Sequence, residues 1–503
     1  MATVIGLAGA RRNAATAIAM DGRVLAVCEQ ERVTRVRGVG LVPGTLPEEA
    51  IDCILRAARR RPEEVTAYVS AEPGIEIPRQ LPLTRLDHHF GHAATALYSS
   101  PFDEAIVVVC DRHSEHGVSV WHGNRQGLRR ENFAWEGPGP AEVYSATAAA
   151  FGFGDDGQEY RIEALARLGA GACAEAAASL IGFDGHRLAV GPEYKARVAE
   201  WAGLNGNQQP LLRRAEIADG IQRRLGAILI DLLKRVRSDG GPPQLCITGG
   251  LFYNSYFTTL IAQSGIFERT FVPINPGNAG VAVGSSLAID AARPRTASLS
   301  PFLGPEYNPV EIKGVLDNCK VPYDYLDDGA VIGRTTAALL KGKLVGWFQG
   351  RMEWGARALG NRSILASPRS PYTLENLNVF LKQREPHRSY GVSVCLEDAP
   401  DYFEGPPTST FMEFEFEAKD PDLFQPLMPV KRTRLRVQTV DHDPALFRRL
   451  LKTFGEASGL PVLVNTSFNG FHEPIVCTPR DAVRVFYGTG LDMAVIGNFV
   501  LEK

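Results

Sequence analysis

The chain has 503 residues, of which 45% are hydrophobic and 22% charged, and its formal net charge is -3. A single hydrophobic core stops growing at about 250–300 residues, so this length predicts at least two domains, and the composition excludes a disordered or fibrous protein. The near balance of 54 Lys and Arg against 57 Asp and Glu disfavours a generic nucleic-acid-binding surface, although it leaves room for a local basic pocket.

The sequence carries no signal for secretion or membrane insertion. Arg11 and Arg12 interrupt the apolar stretch that a signal peptide would need near the start. No run approaches the ~18–20 apolar residues of a membrane span. The eight cysteines are spread singly, with no CxxC pair, which is typical of buried reduced thiols. We therefore expect a cytoplasmic protein that does not contact a membrane.

The first part of the chain alternates strands and helices, which predicts an α/β core. It begins with a strand at 4–7 and a hairpin at 16–28, whose turn is Asp21-Gly22. Helices at 47–60 and 89–98 and a buried strand at 105–110 follow. The Ala-, Leu- and Arg-rich stretch 141–234 predicts a mainly helical insertion. Two strand–turn–helix units, at 244–264 and 269–292, then resume the alternation.

Residues 293–309, RPRTASLSPFLGPEYNP, combine Pro, Ser and Gly without periodicity, which is typical of a linker. We place the domain boundary there and predict an N-terminal domain of residues 1–295 and a C-terminal domain of residues 308–503, called the two halves below. The second half also predicts an α/β domain, with helices at 331–341, 373–382 and 444–458 and the strands LVGWF and PVLVN. We see no internal repeat in the sequence.

Two histidines and an aspartate predict a metal site. His88 and His92 are four residues apart, so on a helix they share one face, and Asp111 ends the strand that follows. An HxxxH pair alone is a weak signal, because core or solvated histidines often have this spacing. Its position before an apolar strand that ends in Asp strengthens the prediction.

Two glycine turns between a strand and a helix predict a nucleotide site. One contains Gly249-Gly250 followed by Asn254, and the other contains Gly277-Asn278. Glycines let a phosphate approach backbone N–H groups at a helix N-terminus. A single turn of this kind is commonly only a turn. Two of them, in a chain that opens with a strand and a hairpin, suggest the nucleotide cleft of an actin/Hsp70/sugar-kinase-like fold.

Two further clusters lie in the second half. GRMEWGARALGNRS at 350–363 and KQREPHR at 382–388 concentrate cations in a glycine-rich context, unlike a solvated helix face with mixed charges. Guanidinium forks suit a phosphate dianion. NTSFNGFHEP at 465–474 is a polar loop after a buried strand, where binding residues are frequent.

These clusters, in this order, resemble the carbamoyltransferase family of the nodulation-factor, tobramycin and cephalosporin O-carbamoyltransferases. The resemblance covers essentially the whole chain and rests on GRMEWGARALGNRSIL, LNVFLKQRE, NTSFNGFHEPIV and LDMAVIGNFVLEK, with support from HHFGHAATALYSSPFDEA. It implies an α/β protein with an actin/Hsp70-like (Kae1-like) N-terminal domain, which carries the helical insertion, and a YrdC-like C-terminal domain.

The resemblance also implies a two-stage reaction. Carbamoyl phosphate and ATP would give carbamoyl adenylate in the C-terminal domain. The carbamoyl group would then pass to a hydroxyl or amine of a small natural-product-like acceptor at the N-terminal metal site. ATP and carbamoyl phosphate would be bound, together with iron, magnesium or manganese. We expect no nucleic-acid partner, and the sequence does not specify the oligomeric state.

Roles follow from the resemblance residue by residue. The carbamoyl-phosphate pocket would consist of Arg357, Lys382, Arg388, Arg436 and His472, with Arg351, Arg362 and Asn465 lining or supporting it. ATP would contact Gly249, Gly250, Asn254, Gly277 and Asn278. The metal ligands would be His88, His92 and Asp111.

The N-terminal half departs from the family pattern. Arg12-Asn13 replaces a His-Asp pair, and Arg37-Gly38 replaces Lys-His. RIEALA at 161–166 replaces Lys-x-Met-Gly-Leu-Ala, and Asn278 replaces the aspartate that would be the fourth metal ligand. Loss of that carboxylate weakens divalent-cation binding, although an amide oxygen can coordinate. A guanidinium cannot act as a base because it does not lose its proton in proteins.

These departures leave several hypotheses open. The acceptor could be a better nucleophile than a sugar hydroxyl, for instance an amine. Glu163 or His113 could act as the base or as an extra metal ligand. The transfer site could have decayed, which would make the chain a binding or scaffold protein. An enzyme of the tRNA-threonylcarbamoylation type is a further alternative, and the near-neutral charge counts against it.

Overall fold

The computed structural model describes residues 2–72, 74–78, 81–112, 117–154, 157–203, 210–289, 298–428 and 433–503. Its first sheet consists of β1 (Thr3–Ala8), β2 (Ala15–Met20), β3 (Arg23–Glu29), β4 (Ala67–Ser70) and β5 (Leu83–Arg85), in the order β3-β2-β1-β4-β5. The first three strands are antiparallel, and β4 and β5 run parallel to β1. The hairpin predicted at 16–28 is confirmed. Helices α1 (Gln30–Thr34), α2 (Glu48–Ala58) and α3 (His88–Ser99) belong to this region.

The predicted helical insertion interrupts the second sheet. Strands β6 (Glu104–Cys110), β7 (Val118–Asn124) and β8 (Gly127–Arg130) precede it. The insertion consists of α4 (Pro140–Ala150), α5 (Glu159–Ala166), α6 (Ala174–Leu180), α7 (Tyr194–Trp201) and α8 (Leu211–Ser238), with a short hairpin of β9 (Ile181–Phe183) and β10 (Leu188–Val190). The mainly helical character is confirmed, and the hairpin was not predicted.

The second sheet repeats the topology of the first. Strands β11 (Gln244–Thr248) and β12 (Arg269–Phe271) complete it in the order β8-β7-β6-β11-β12, again with three antiparallel strands and two strands parallel to the first of them. The structure thus contains a repeated topology although the sequence shows no internal repeat. Buried strands such as TVIGLA and EAIVVVC share an apolar character without sharing residues, so the duplication leaves no repeat in the sequence.

Two helices lie between these sheets, namely α3 and α10 (Val281–Ala288). Helix α10 packs on β1 and β2, and α3 packs on β6 and β11. The approach is close enough to require glycine. A Cβ atom on Gly284 would lie 2.2 Å from the carbonyl oxygen of Gly91, and one on Gly6 of β1 would lie 1.9 Å from that of Ala282. This packing places His88, the first residue of α3, beside the end of β6.

Part of the predicted linker, residues 298–308, packs against the rest of the protein and is called the strap. Residues 290–297 lie outside the described residues, but residues 298–308 hydrogen-bond to both halves. The carbonyl of Leu303 accepts from Val27 N of β3 at 3.0 Å, and Gly304 N donates to the carbonyl of Met352 at 2.9 Å. Leu303 is buried. The domain boundary itself stays a prediction.

The second half is built on one large mixed sheet. Its strands are β13 (Asp324–Tyr325), β14 (Val345–Phe348), β15 (Arg362–Ala366), β16 (Gly391–Cys395), β17 (Phe403–Glu404), β18 (Glu415–Ala418), β19 (Arg434–Val440), β20 (Val462–Ser467), β21 (Met493–Ile496) and β22 (Phe499–Glu502). They lie in the order β13-β22-β21-β14-β15-β20-β16-β19-β18-β17. The predicted strands LVGWF and PVLVN are β14 and β20.

The remaining helices are α9 (Ser255–Ala262) in the first half and α11 (Pro309–Cys319), α12 (Asp328–Leu340), α13 (Thr373–Glu375), α14 (Ala399–Tyr402), α15 (Ala445–Ser458) and α16 (Pro479–Gly488) in the second. Helices α12 and α15 cover one face of the large sheet, where Trp347 is buried, and α11 and α16 cover the other, where Phe348 is buried. This alternation along β14 is the period of two expected of a strand. The predicted helix at 373–382 is α13 followed by a π-helical turn at Asn376–Leu381.

The α/β class is confirmed, whereas the actin/Hsp70-like and YrdC-like assignments stay predictions. All eight cysteines are free, and all except Cys319 are buried, as expected. No helix among the described residues is both long and apolar enough to span a membrane.

We expect Gly6→Ala to destabilise the protein, because the new methyl group would overlap the carbonyl of Ala282 and force β1 and α10 apart. Overpacking of this kind costs about 1–3 kcal/mol or more. Gly314→Ala, in the exposed middle of α11 where nothing lies within 4 Å of the added Cβ, is the matched control. It should stabilise by about 0.5–1 kcal/mol through helix propensity. Denaturant unfolding of both variants checks the pair, and equal stabilities would contradict the packing described for Gly6.

Candidate functional site

A cavity of about 1490 Å³ lies between the two halves. Most of the predicted site residues line it, namely His88, Asp111, Gly250, Asn254, Gly277, Asn278, Arg357, Lys382, Arg388, Arg436, Asn465 and His472. The residues predicted for metal, nucleotide and carbamoyl phosphate therefore share one space, with the first two groups on the N-terminal side and the third on the C-terminal side.

Four predicted residues do not line the cavity. His92 is buried beside Asp111, and the other three have packing roles in the structure. Gly249 has a φ of 108°, and a Cβ atom there would lie 2.0 Å from the carbonyl oxygen of Cys110, so this glycine lets the ends of β11 and β6 approach. Arg351 donates to the carbonyls of Leu25, Leu303 and Gly304 and fastens the strap. Arg362 is fully buried over the ring of Phe348 and donates to backbone carbonyls.

The three predicted metal ligands form a compact buried cluster. His88 Nε2 lies 3.2 Å from Asp111 Oδ2, and His92 Nε2 lies 3.9 Å from Asp111 Oδ1. The ligand atoms of all three residues lie within 4.8 Å of one another. His92 Nε2 is buried and has no hydrogen-bond partner among the described residues. An orphaned nitrogen facing a carboxylate and a second imidazole fits a divalent cation.

Neighbouring backbone groups orient this cluster. The carbonyl of Ala71 lies 3.0 Å from His88 Nδ1, which leaves Nε2 for the cation. The N–H of Gly250 donates to Asp111 Oδ1 at 3.2 Å. Gly250, predicted to contact a nucleotide phosphate, therefore positions a metal ligand in this structure. Asn278, at the expected fourth ligand position, lies against His92.

The histidines differ in protonation. Burial disfavours the charged form of His88, but its hydrogen bond to Asp111 and the nearby charges of Glu72 and Asp111 outweigh burial and raise its pKa to about 9. Burial dominates at His92 and lowers its pKa to about 4. The cluster therefore holds a proton at neutral pH that a bound cation would displace.

Asn254 and Gly277 shape the N-terminal wall. Asn254 caps α9, its side chain accepting from Tyr256 N, and its Nδ2 donates to Tyr144 and Gln222 at 2.9 and 2.8 Å. A Cβ atom on Gly277 would lie 2.5 Å from the ring of Tyr253, so this glycine lets the turn lie flat on that ring. Both ends of the Asn254 amide are used in these contacts, and Gly277 has no side chain, so the backbone of the two turns forms part of the cavity wall.

Lys382 is held at the C-terminal side by oxygen atoms of the polar loop. Its Nζ donates to the carbonyls of Ser467 and Asn469 at 2.6 and 2.9 Å and to Asn469 Oδ1 at 2.6 Å. Lys382 follows the π-helical turn directly, a feature that is frequent at functional sites. Burial and the charges of nearby arginines, Arg384 and Arg37 first among them, hold its pKa well below the usual range.

Three arginines complete the cationic side. Arg357 Nη2 donates to the carbonyl of Tyr253 at 3.0 Å, and burial and Arg436 lower its pKa to about 9. Arg388 lies over the ring of Tyr160, 4.5 Å from its centroid, and burial and Arg384 lower its pKa to about 10. Burial is the main cause of these lowered pKa values, repulsion between the cations adds to it, and the nearby carboxylates of Glu163 and Glu385 offset it only in part.

Glu163 belongs to this cationic pocket. Its Oε1 accepts from Arg436 Nη2 and Arg167 Nη2, both at 2.8 Å, and from Ser255 N at 3.2 Å. Burial opposes its ionisation, but Arg436, Arg167 and Arg357 outweigh burial and lower its pKa to about 2. So weak a base, paired with two guanidinium groups, is poorly placed to take up a proton, and Glu163 does not belong to the group of described residues that could hold a metal ion. A role for Glu163 as the transfer base or a metal ligand stays a prediction that this geometry does not favour. His113, the other candidate, lies outside the described residues.

The polar loop adds Asn465 and His472. Asn465 is 2% exposed, and its Nδ2 donates to Ser393 and Gln438 at 3.0 and 3.1 Å. Its Oδ1 is buried without a hydrogen-bond partner among the described residues. His472 is exposed at the rim and has a φ of 54°, in the left-handed region that non-glycine residues rarely adopt.

Contacts that hold the two halves together were not predicted. Glu29 Oε1 accepts from Gly355 N at 2.6 Å, and Arg32 Nη2 donates to the carbonyl of the same glycine at 2.8 Å. Arg35 donates to the carbonyls of Pro474 and Ile475. The signal in the sequence is the charge-rich segment EQERVTR at 29–35, whose partners lie too far along the chain to be inferred from spacing.

The pKa of His88 is about 9, so below that pH a bound cation must displace its proton. We therefore expect divalent-cation affinity to rise with pH until about pH 9, and about one proton to be released per ion at pH 7. Calorimetry with Mn²⁺ at several pH values measures the affinity, and its repetition in two buffers of different ionisation enthalpy measures the number of protons released. Asp111→Asn should weaken Mn²⁺ binding at least tenfold. Asp103→Asn is the matched control and should leave the affinity unchanged, because Asp103 is exposed and directly precedes β6, whereas Asp111 directly follows that strand. Equal affinity for Mn²⁺ in the two variants would contradict the cluster as a metal site.

Comparisons with known proteins agree with this geometry. The family model described as Carbamoyltransferase N-terminus matches residues 64–287, and the one described as Carbamoyltransferase C-terminus matches residues 336–503. The two matches end and begin on either side of the strap. They contain the metal cluster and the predicted phosphate pocket, respectively.

Three relatives are similar over most of the chain. The uncharacterized protein sll1178 of Synechocystis sp. is 32% identical over 84% of this chain and 76% of its own length. Nodulation protein NolNO of Sinorhizobium fredii is 27% identical over 98% of this chain and 79% of its own. The 3'-hydroxymethylcephem-O-carbamoyltransferase of Amycolatopsis lactamdurans is 27% identical over 87% and 86%. The chain thus belongs to the carbamoyltransferase family of enzymes.

Proposed function

We propose that the protein is an ATP-dependent carbamoyltransferase that works in two stages and modifies a hydroxyl or amine of a small natural-product-like acceptor. The observation that carries the proposal is the single cavity, which joins the cationic pocket of one half to the His88, His92 and Asp111 cluster of the other. An activated carbamoyl group made at one side can reach an acceptor at the other without release into water.

In the first stage, water displaces phosphate from carbamoyl phosphate, and the carbamate formed attacks the α-phosphorus of ATP. A bond forms between a carbamate oxygen and that phosphorus, the bond to the β-phosphate bridging oxygen breaks, and the products are carbamoyl adenylate, pyrophosphate and phosphate. Negative charge accumulates on phosphate oxygens throughout. Arg357, Lys382, Arg388 and Arg436 would stabilise it, because buried cations fixed in advance act strongly on developing charge.

Asn465 supports carbamoyl recognition. A carbamoyl NH₂ group is a hydrogen-bond donor, and the buried Oδ1 of Asn465 is an acceptor without a partner among the described residues. A buried acceptor left unmatched costs about 1–3 kcal/mol, which a donor on the ligand would recover. His472, held in a strained conformation at the rim, would contact the phosphate from the solvent side.

In the second stage, the acceptor oxygen or nitrogen attacks the carbamoyl carbon, AMP leaves, and the acceptor's proton is released. A divalent cation held by His88, His92 and Asp111 would polarise the carbamoyl oxygen or the acceptor. Arg12 lies on the cavity wall, and its guanidinium packs closely against Gly38 and Gly157, 3.2 Å and 3.0 Å from where a Cβ atom on each glycine would lie. A guanidinium supplies no base. This arrangement favours an acceptor that needs little deprotonation, such as an amine.

We expect the pure protein to release pyrophosphate from ATP only when carbamoyl phosphate is present. Arg388→Ala should remove most of this activity, since loss of a buried cation from a phosphate pocket costs about 2–5 kcal/mol. Arg449→Ala is the matched control. Its guanidinium pairs with Asp328 on an exposed surface, and the variant should retain full activity.

A second measurement separates the enzyme from a scaffold. Calorimetry should detect binding of both ATP and carbamoyl phosphate. If neither binds and no pyrophosphate appears with any acceptor, the proposal is wrong, and a binding protein that retains the fold without the chemistry is the better description. Carbamoylation of a threonyl adduct on tRNA would instead identify an enzyme of the tRNA-modifying type.

A further inference from the structure

Helix α5 of the insertion reaches across the cavity and contacts the cationic pocket at several points. Tyr160 stacks under Arg388, and Arg161 Nε donates to Glu385 at 2.6 Å. Arg167, directly after the helix, donates to Ser389 Oγ at 2.9 Å. The segment that departs from the family pattern is therefore the segment that touches the predicted carbamoyl-phosphate residues from the other half.

The central contact of this set is the ion pair between Glu163 and Arg436. Both side chains are buried, at 7% and 13% exposure, and Nη2 of the arginine lies 2.8 Å from Oε1 of the carboxylate. Ser255, the first residue of α9, contacts Nε and Nη2 of the same guanidinium through its hydroxyl at 3.3 and 3.1 Å. Glu163 and Ser255 together hold one edge of the guanidinium.

The opposite edge of Arg436 is left for a ligand. Among the described residues, no hydrogen bond is made by Nη1, and Arg436 lines the cavity. A guanidinium has five N–H donors in a rigid plane, so fixing one edge orients the other. Glu163 is the strongest attractive charge on Arg436, with Glu415 a weaker one, and together they oppose the repulsion from Arg167 and Arg357. Without Glu163, that repulsion would be opposed by Glu415 alone.

We propose that Glu163 is a positioning residue of the carbamoyl-phosphate pocket, which fixes Arg436 so that its free edge binds the phosphate. The inference rests on the proposed function. It adds that the phosphate pocket of the C-terminal half is completed by a carboxylate of the N-terminal half. Glu163 itself does not touch the substrate.

The test compares Glu163→Gln with Glu417→Gln. Glu417 pairs with Arg434, two residues before Arg436 on the same strand, and this pair is exposed, so its loss has little effect. In the pyrophosphate assay, E163Q should raise KM for carbamoyl phosphate about tenfold or more while KM for ATP stays unchanged, and E417Q should change neither. Glu163→Asp keeps the charge and should recover part of the loss. Thermal unfolding establishes that each variant is folded.

Binding of carbamoyl phosphate and of inorganic phosphate, measured by calorimetry, separates the two hypotheses. If the unsubstituted protein binds neither, the proposed function fails. If it binds them and E163Q binds equally well, Glu163 does not position Arg436 and the inference fails. Tighter binding by E163Q would also overturn it, because that result would show a carboxylate competing with the phosphate. A fall in kcat with both KM values unchanged would indicate a structural role only.

Discussion

Several cations are buried around one cavity, and the rest of the site depends on the contacts that hold these charges in place. Each cation is held by a different kind of contact. Lys382 is surrounded by oxygens of the polar loop, Arg357 donates to the carbonyl of Tyr253, and Arg436 is paired with Glu163. These contacts compensate the charges only in part, since their pKa values stay low. Under the proposed function, a bound phosphate would relieve repulsion that folding has already imposed.

Residues of the N-terminal half make much of the compensating contact with the cations of the C-terminal half. Tyr253 and Glu163 belong to the N-terminal half, whereas Arg357 and Arg436, to which they are hydrogen-bonded, belong to the C-terminal half. The clasp of Gly355 by Glu29 and Arg32 fixes the turn that carries Arg357. The cationic pocket is therefore built by residues of both halves.

The sequence predicted the elements, and it identified residues wherever the chemistry was local. His88, His92 and Asp111 are found by helical spacing and by position after a strand, and they form the cluster. Contacts between distant segments escaped prediction. Glu163 lies in helix α5 and its partner Arg436 lies in strand β19 of the other half, so no spacing in the sequence indicates this contact. Gly249 illustrates a different limit, because a glycine for close backbone packing and a glycine for phosphate binding look identical in a sequence.

The duplicated sheets differ in what they supply to the site. The second places Asp111 and Gly250 at its strand ends, beside the metal cluster. The first places Glu29 at the end of β3, where it carries the attachment to the other half. The second sheet thus contributes residues to the predicted metal site, and the first contributes a contact that joins the two halves. A substitution of Glu29 in the first sheet would impair turnover while leaving every ligand-binding side chain intact. Such a variant would resemble a catalytic mutant although its defect lies in the contact between the two halves.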